Sequence, residues 1–352
     1  AKVMEVLNVD VSEIKDIIEM IATLQEQDGE SLNLCFHGSP GIGKTQGIMT
    51  ALQQLGYIAR EMKAPQMDPV DIGGFPMIKD DLTTWATPDF LITPPGEKLA
   101  IFADELNRAA GMTQNSLLSL FQERRVRNFH LDPKTILIAA CNREGDDIGI
   151  QAMSRALCNR FVHVYVQTSL AGFLEHAIPN NFNPIVIGTL KFRPNLLNPA
   201  YDENIPIKER EVWKHEKAYP TPRSWETVSK ILNRGHKNRN MIHSLIAGAI
   251  GYGPAIEVMA MWEAINQLPS IDAIFLNPDT AKLPKEPSQC YAVALAIARR
   301  IDEENIDRAI IYLNRLDLEY NVLAIKEVLR RDQALAATKG FAGWAIKYDG
   351  RF

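Results

Sequence analysis

The residues with the clearest chemical pattern lie between positions 38 and 45, where the sequence reads Gly-Ser-Pro-Gly-Ile-Gly-Lys-Thr. This run fits the phosphate-binding pattern G-x-x-x-x-G-K-[ST] at every fixed position. A loop of this kind directs backbone N–H groups at one spot, where Lys44 would reach the β- and γ-phosphates and the Thr45 hydroxyl would hold Mg²⁺. The sequence therefore predicts a polyphosphate site. Its predicted binding residues are Gly38, Ser39, Pro40, Gly41, Ile42, Gly43, Lys44, Thr45 and Gln46.

Acidic and amide side chains follow two later apolar runs. The run Leu99 to Ala103 ends in Asp104 and Glu105, and the run Thr135 to Cys141 ends in Asn142. Asp104 suits Mg²⁺, directly or through water, and Glu105 suits a base that orients and polarises an attacking water. Asn142 would reach the γ-phosphate or that water, although asparagine is also a common turn residue at a strand end.

Five apolar runs alternate with helix-like segments in the first half of the chain and predict the strands that position these groups. They begin near Leu32, Tyr57, Leu99, Thr135 and Val162. The alternation predicts an α/β fold with a five-stranded parallel sheet between helices. Because ligands bind beyond the carboxyl ends of parallel strands, Asp104, Glu105 and Asn142 should meet at the edge that carries the phosphate loop.

Beyond Thr168 the pattern changes to short helices separated by turns that contain proline. Thr221-Pro222-Arg223 predicts a helix start, with Thr221 as the cap and Pro222 in the first turn. A turn-rich stretch from Pro269 to Pro287 separates two helical groups. The predicted domains are an α/β nucleotide-binding domain over 1–168, an α-helical domain over 169–268 and a helical C-terminal extension over 269–352.

Composition limits the classes of function. The chain has 352 residues, of which 46% are hydrophobic and 23% charged, and its net charge is −5. The acidic balance gives no support for nucleic-acid binding, although a local basic patch stays possible. No apolar run approaches the length of about 20 residues that a membrane helix needs, and no signal peptide is recognisable, so we expect a cytoplasmic protein without membrane association. The spacing of the four cysteines and seven histidines predicts neither disulfides nor a structural metal site.

These motifs occur in the order found in AAA+ ATPases, and more narrowly they resemble the MoxR branch. The resemblance rests on Gly38 to Thr45, Phe102 to Ala109, Ala139 to Glu144, Ala156 to Phe161 and Thr221 to Glu226. It is continuous from about Leu32 to Leu232. The resemblance implies a nucleotide-binding core followed by an α-helical lid over 169–268, with ATP and Mg²⁺ as the bound species.

The resemblance also implies a role for each matching residue. Lys44 and Thr45 correspond to the Walker A motif, Asp104 and Glu105 to Walker B, and Asn142 to sensor 1. Arg223 corresponds to sensor 2, which reaches the γ-phosphate from the lid. Arg160 corresponds to the arginine finger, which completes the site of a neighbouring subunit, and Arg155 is the alternative for this role.

Partners follow from the same resemblance. The family assembles into rings, usually hexamers, and its members often act with a protein that carries a von Willebrand factor A domain to remodel or activate a client. Within the segment from Lys63 to Glu97, we expect Asp68, Asp71 and Phe75 to contact a substrate or partner at the ring pore. The alternative function is an AAA+ nucleic-acid motor or loader, supported only by Arg124, Arg125, Arg127 and the cluster Arg234 to Lys237. A scaffold that binds ATP and hydrolyses it poorly is a third possibility, which Glu105 argues against.

Overall fold

We describe a computed structural model of the chain over residues 7–29, 31–143 and 152–348. Glu144, the last residue of one motif above, lies outside these residues. The chain divides into two compact units, Ala1–Ser169 and Leu170–Phe352. The first unit contains the phosphate loop and both acidic residues, and the second contains Arg223.

The first unit is built on a parallel sheet, and its described residues contribute six strands in the order β1-β10-β2-β9-β6-β3. The five predicted strands are all present, and the parallel α/β core is confirmed. A sixth strand, β1, was not predicted; it is three residues long and pairs with β10 at the edge of the sheet. The strands of this sheet are β1 (Asn8–Asp10), β2 (Asn33–His37), β3 (Tyr57–Lys63), β6 (Lys98–Asp104), β9 (Ile136–Cys141) and β10 (Phe161–Gln167).

Helices cover both faces of this sheet because its central strands are apolar on both sides. Every residue of β2 and of β9 is buried. One face packs on α1 and α2 through Ile18, Ile48 and their neighbours, and the other packs on α4 through Leu117 and Leu120. The helices of this unit are α1 (Ile14–Asp28), α2 (Lys44–Gln54), α3 (Pro69–Gly73), α4 (Gly111–Glu123) and α5 (Arg155–Cys158).

Two antiparallel hairpins project from the first unit. The segment between Lys63 and Glu97 contains α3 and a hairpin of β4 (Phe75–Lys79) and β5 (Leu82–Ala86). The predicted short hairpin arm after α4 is confirmed as β7 (Arg125–Val126) and β8 (Phe129–His130). All five residues of β4 are exposed, so this hairpin presents a strand to solvent.

The second unit is helical in its described part, as predicted. The amphipathic helix α9 begins at Pro222 and is capped by Thr221, whose hydroxyl accepts a hydrogen bond from the N–H of Ser224. Helix α13, beyond the turn-rich stretch, packs against α7, which precedes it. The helices are α6 (Leu170–Ala177), α7 (Pro184–Phe192), α8 (Ile207–His215), α9 (Pro222–Arg234), α10 (Arg239–Ile250), α11 (Tyr252–Asn266), α12 (Ile271–Leu276), α13 (Pro287–Ala298), α14 (Ile306–Leu313), α15 (Leu318–Arg331) and α16 (Lys339–Lys347).

No helix in the described part of the chain combines the length with the apolar character that crossing a membrane requires.

Candidate active site

The loop between β2 and α2 has the backbone geometry of an anion cradle. Gly41 and Gly43 have φ values of +78° and +96°, a region that side-chain-bearing residues rarely adopt. A Cβ atom at Gly38 would lie 2.7 Å from the Ile42 side chain and 2.9 Å from the Val166 carbonyl oxygen. Glycine at position 38 therefore lets the loop pack closely on β10. Helix α2 begins at Lys44, so its first-turn N–H groups and its positive end face this loop.

Lys44 lies inside this cradle and is only 7% exposed. Its ammonium group donates hydrogen bonds to the carbonyl oxygens of Gly38 at 2.6 Å and Ser39 at 2.9 Å. The Nζ atom is also 3.5 Å from Oδ1 of Asn142. The lysine and the asparagine, which were predicted from separate motifs, thus meet at the same place.

Thr45 and Asp104 form the second half of the site. The Thr45 hydroxyl donates a hydrogen bond of 2.9 Å to Oδ2 of Asp104, whose side chain lies at the end of β6. The other carboxylate oxygen accepts a hydrogen bond of 3.0 Å from the N–H of Glu105. A hydroxyl beside a buried carboxylate is the oxygen donor set that Mg²⁺ prefers. These two residues therefore fit the predicted metal.

Glu105 occupies an unusual backbone conformation directly after Asp104. Its φ and ψ are 53° and 39°, the left-handed region, in which a residue with a side chain is strained by about 1 kcal/mol or more. Its side chain is 45% exposed and lies 3.5 Å from the Arg108 guanidinium. The turn separates the directions of the two carboxylates, so Asp104 stays against Thr45 while Glu105 reaches the solvent in which a water nucleophile would arrive.

Asn107 holds Asn142 in place, and sequence reasoning gave it no role. The Asn107 side-chain amide donates a hydrogen bond of 2.7 Å to the Asn142 carbonyl, and its Oδ1 accepts one of 3.1 Å from the Asn142 N–H. Both residues are buried. This reciprocal pair fixes the end of β9 to the turn after Asp104. The only available signal was the position of Asn107 two residues after Glu105.

The three candidate arginines are all exposed. Arg155 begins α5, and Arg160 lies in the turn before β10. Within the described residues, neither guanidinium makes a hydrogen bond or an ion pair, so both are available to another molecule. Arg223 lies in the first turn of α9 in the second unit. The assignments of Arg160 and Arg223 as finger and sensor stay predictions.

The three residues expected to contact a partner lie around α3 and β4. Asp68, Asp71 and Phe75 are all exposed, and the Phe75 side chain is 62% exposed. Asp71 also has a local structural role, because its carboxylate accepts a hydrogen bond of 2.7 Å from the Asp68 N–H at the start of α3. Their contact with a partner stays a prediction.

A histidine pair lies directly beneath the loop. His37, the last residue of β2, is 9% exposed, and its Nε2 is 2.7 Å from Nδ1 of His163. Burial, followed by the nearby groups of His163, Lys44 and Arg143, lowers the pKa of His37 to about 4. Burial also raises the pKa of the neighbouring Cys35 thiol.

The low pKa of His37 predicts a loss of stability in mild acid. Because the pKa in the folded state lies below the unfolded value of about 6.5, the unfolded chain binds more protons between these values. The contribution of His37 to the free energy of unfolding should be fully present above about pH 6.5. It should be lost as the pH drops toward 4, which lowers the free energy of unfolding by about 3 kcal/mol at most. Urea unfolding of wild type and His37→Gln at the two ends of this range measures the effect.

The control for this measurement is His130→Gln, since His130 is exposed on β8. Its free energy of unfolding should depend on pH as that of the wild type does, whereas the free energy of unfolding of His37→Gln should fall less between the two pH values. An equal loss in wild type and His37→Gln would show that the His37 imidazole does not titrate as described.

The first unit matches a known family of enzymes. A family model described as "ATPase family associated with various cellular activities (AAA)" matches residues 33–163. This part of the chain is an AAA ATPase domain. The match runs from the first residue of β2 to His163 in β10. The matched residues therefore include the phosphate loop, Asp104, Glu105 and Asn142. They also include Arg155 and Arg160, the two candidates for the arginine finger.

Individual proteins resemble the chain over different lengths. Over 117 residues the chain is 31% identical to the Holliday junction branch migration complex subunit RuvB of Prochlorococcus marinus (strain NATL2A). This alignment covers 33% of the chain and 28% of that protein, so the chain matches little more than a quarter of its curated relative.

Solved structures show weaker likeness. The Thermotoga maritima RuvB Holliday junction branch migration motor has a TM-score of 0.38 at 15% identity, covering 95% of this chain and 86% of that one. A mutant of the same protein has a TM-score of 0.39 at 16% identity, covering 96% and 88%. Similarity at this level carries no argument about function.

Proposed function

We propose that this chain hydrolyses ATP at the site between the phosphate loop and the end of β6. The observation that carries the proposal is the hydrogen bond of 2.9 Å between Thr45 and Asp104, because it joins the two oxygen ligands that would hold Mg²⁺ beside Lys44. The loop backbone and Lys44 would bind the phosphates, and Asn142 would contact the γ-phosphate. Glu105 would accept a proton from the attacking water. Bound Mg²⁺ would neutralise charge that develops on the phosphates.

Removal of the Lys44 ammonium tests the binding site. In Lys44→Ala we expect ATP affinity to fall by about 10- to 100-fold, since charge-assisted hydrogen bonds contribute about 1.5–3 kcal/mol. Isothermal titration with a slowly hydrolysed ATP analogue measures this loss. The matched control is Lys134→Ala, an exposed lysine in the turn before β9, which should bind as wild type does. Unchanged affinity in Lys44→Ala would place the nucleotide elsewhere.

We propose further that the chains assemble into a hexameric ring of the MoxR type. ATP hydrolysis in this ring would remodel or activate a protein partner in the cytoplasm. The exposed guanidinium groups of Arg155 and Arg160 support the ring, because an arginine that has no polar partner among the described residues of its own chain can complete a neighbour's site. A partner with a von Willebrand factor A domain belongs to the same proposal and rests on the family resemblance alone.

The β4–β5 hairpin supports a protein client. It exposes large apolar side chains on a projecting element: Phe75 is 62% exposed, Ile78 is 85% and Leu82 is 68%. Exposed apolar patches of this kind mark interaction surfaces. A pull-down from the native host with Glu105→Gln, which would hold the ATP state, should capture a client, and Ile78→Ser in the same background should lose it. Equal capture by both variants would remove this hairpin from the client site.

A nucleic-acid motor is the second candidate function, favoured by the sequence similarity to RuvB. The β7–β8 hairpin, expected to supply its basic residues, gives it little support. Arg124 donates to the carbonyl oxygen of Asp132, Arg125 pairs with Glu123, and Arg127 stacks over Trp85 at 3.8 Å from the ring centre. Binding of duplex and single-stranded DNA and of RNA at physiological salt decides between the two. Tight, salt-sensitive binding would favour the motor.

A further inference from the structure

Cysteine and histidine side chains meet on one face of the main sheet, on β2, which leads to the phosphate loop, and on its neighbours β9 and β10. Cys35 and His37 are two residues apart on β2, so their side chains point to the same face. In the parallel register, Cys35 pairs with His163 of β10 and His37 pairs with Cys141 of β9. The pairing brings four potential metal ligands from three strands together, although they are far apart in the sequence.

The distances within this group suit a small metal ion. The ligand atoms of Cys35, His37 and His163 all lie within 4.8 Å of one another, the one such trio of histidine, cysteine or acidic residues in the described chain. The Cys141 sulfur is 3.5 Å from the Cys35 sulfur. A tetrahedral ion with bonds of about 2.0–2.3 Å keeps its ligands about 3.3–3.8 Å apart. Binding therefore needs side-chain shifts of about 1 Å in this trio, and Cys141, which lies outside the trio, has to move toward the two histidines.

His163 is already oriented as a ligand. Its Nε2 is 2.8 Å from the Cys158 carbonyl oxygen, which can only accept a hydrogen bond, so Nε2 carries the proton. Its Nδ1 therefore presents a lone pair to the group and accepts the hydrogen bond from Nε2 of His37. Histidines that bind metals usually donate their other ring N–H to a carbonyl or carboxylate in this way.

We propose that Cys35, His37 and His163 bind a thiophilic transition-metal ion of the Zn²⁺ class, with Cys141 as the fourth ligand. Two sulfur and two imidazole ligands select Zn²⁺, or Cu⁺, over Mg²⁺ and Ca²⁺. On binding, the thiol protons leave to solvent. His37 binds through Nε2, so its remaining proton moves to Nδ1 and the hydrogen bond to His163 is replaced by the ion. The site is distinct from Thr45 and Asp104 and does not depend on the proposed ATPase activity.

The ion would link the carboxyl ends of β2 and β9, which carry residues of the candidate active site. His37 is followed directly by Gly38 of the phosphate loop, and Cys141 is followed by Asn142. The Gly38 N–H already donates a hydrogen bond of 3.2 Å to the Cys141 carbonyl. An ion held by residues of β2, β9 and β10 would fix this junction and stabilise the first unit.

Cobalt titration of the full chain, stripped with a chelator and free of nucleotide, tests the site. Co²⁺ should bind with one ion per chain and give the visible absorption of a tetrahedral thiolate complex, which Zn²⁺ then bleaches. Co²⁺ at Thr45 and Asp104 would lack thiolate bands. His163→Gln should weaken binding by about 100-fold or more, whereas His130→Gln should not. Cys35→Ser should weaken both the binding and the thiolate band, because Cys141 is then the one remaining sulfur ligand, and Cys290→Ser should change neither.

A second measurement on unmodified protein guards against variants that fail to fold. Zn²⁺ should raise the thermal midpoint of the stripped wild-type chain, and a chelator should reverse the rise. Absence of both the thiolate band and this rise in the wild type overturns the site. Equal Co²⁺ affinity in wild type and folded His163→Gln also overturns it, and wild-type affinity in Cys141→Ser removes the fourth ligand.

Discussion

Glu105→Gln should bind ATP with nearly wild-type affinity and hydrolyse it about 10²- to 10⁴-fold more slowly, the usual contribution of a general base. The substitution keeps the size of the side chain and removes only its ability to take a proton from water. Asp104 and Thr45 lie on the other side of the turn, and their hydrogen bond of 2.9 Å does not involve the Glu105 side chain. Nucleotide binding should therefore survive. Phosphate release under saturating ATP, together with a binding titration, measures both quantities.

Glu97→Gln is the matched control, since Glu97 is an exposed glutamate in the turn that precedes β6. It should hydrolyse ATP at the wild-type rate. If Glu105→Gln also turned over at that rate while binding ATP normally, another residue would be the base. A parallel loss of binding would instead show that Glu105 shapes the pocket.

Arg160→Ala should reduce turnover about 10³- to 10⁵-fold while leaving ATP binding nearly intact, if its guanidinium stabilises the transferring phosphate of a neighbouring subunit. Arg160 is exposed and has no polar partner for its guanidinium within the described residues of its own chain, so the stability of the chain should change little. Arg155→Ala tests the alternative finger residue, because Arg155 is also exposed and lies on the adjoining helix α5. A larger loss in Arg155→Ala would transfer the finger role to that residue.

Mixed rings distinguish action between subunits from action within one. An Arg160→Ala subunit keeps an intact nucleotide pocket, and a Lys44→Ala subunit keeps an intact finger. Where the first binds ATP beside the second, the site is complete, so mixing the two inactive proteins should restore part of the activity. No recovery in verified mixed rings would argue against a finger that acts across the interface.

Most of the candidate site could be predicted because its residues are adjacent to strand ends. Parallel strands bring their carboxyl ends to one edge, so Lys44, Asp104 and Asn142 could be placed together from the order of the apolar runs alone. Lys44 and Asn142 do approach to 3.5 Å. The five predicted strands and the β7–β8 hairpin follow from the same local patterns, which need no knowledge of distant contacts.

Features that depend on pairing between distant strands could not be predicted. Strand β1 has only three residues and no periodic pattern, and its place at the edge follows from its register with β10. The Asn107 amide pair is a contact across 35 positions. The cysteine and histidine group was missed for the same reason: only Cys35 and His37 are close in sequence, and spacing rules for metal sites do not see neighbours across a sheet.

The Asn107 side-chain amide, bound to the backbone of Asn142, joins the turn that carries Glu105 to the strand end that would face the γ-phosphate. Two hydrogen bonds in opposite directions resist both sliding and rotation, so we expect these two segments to move together. Loss of the γ-phosphate at one end would then displace the proton acceptor at the other in the same movement. We therefore expect the position of Glu105 to depend on whether a γ-phosphate is bound.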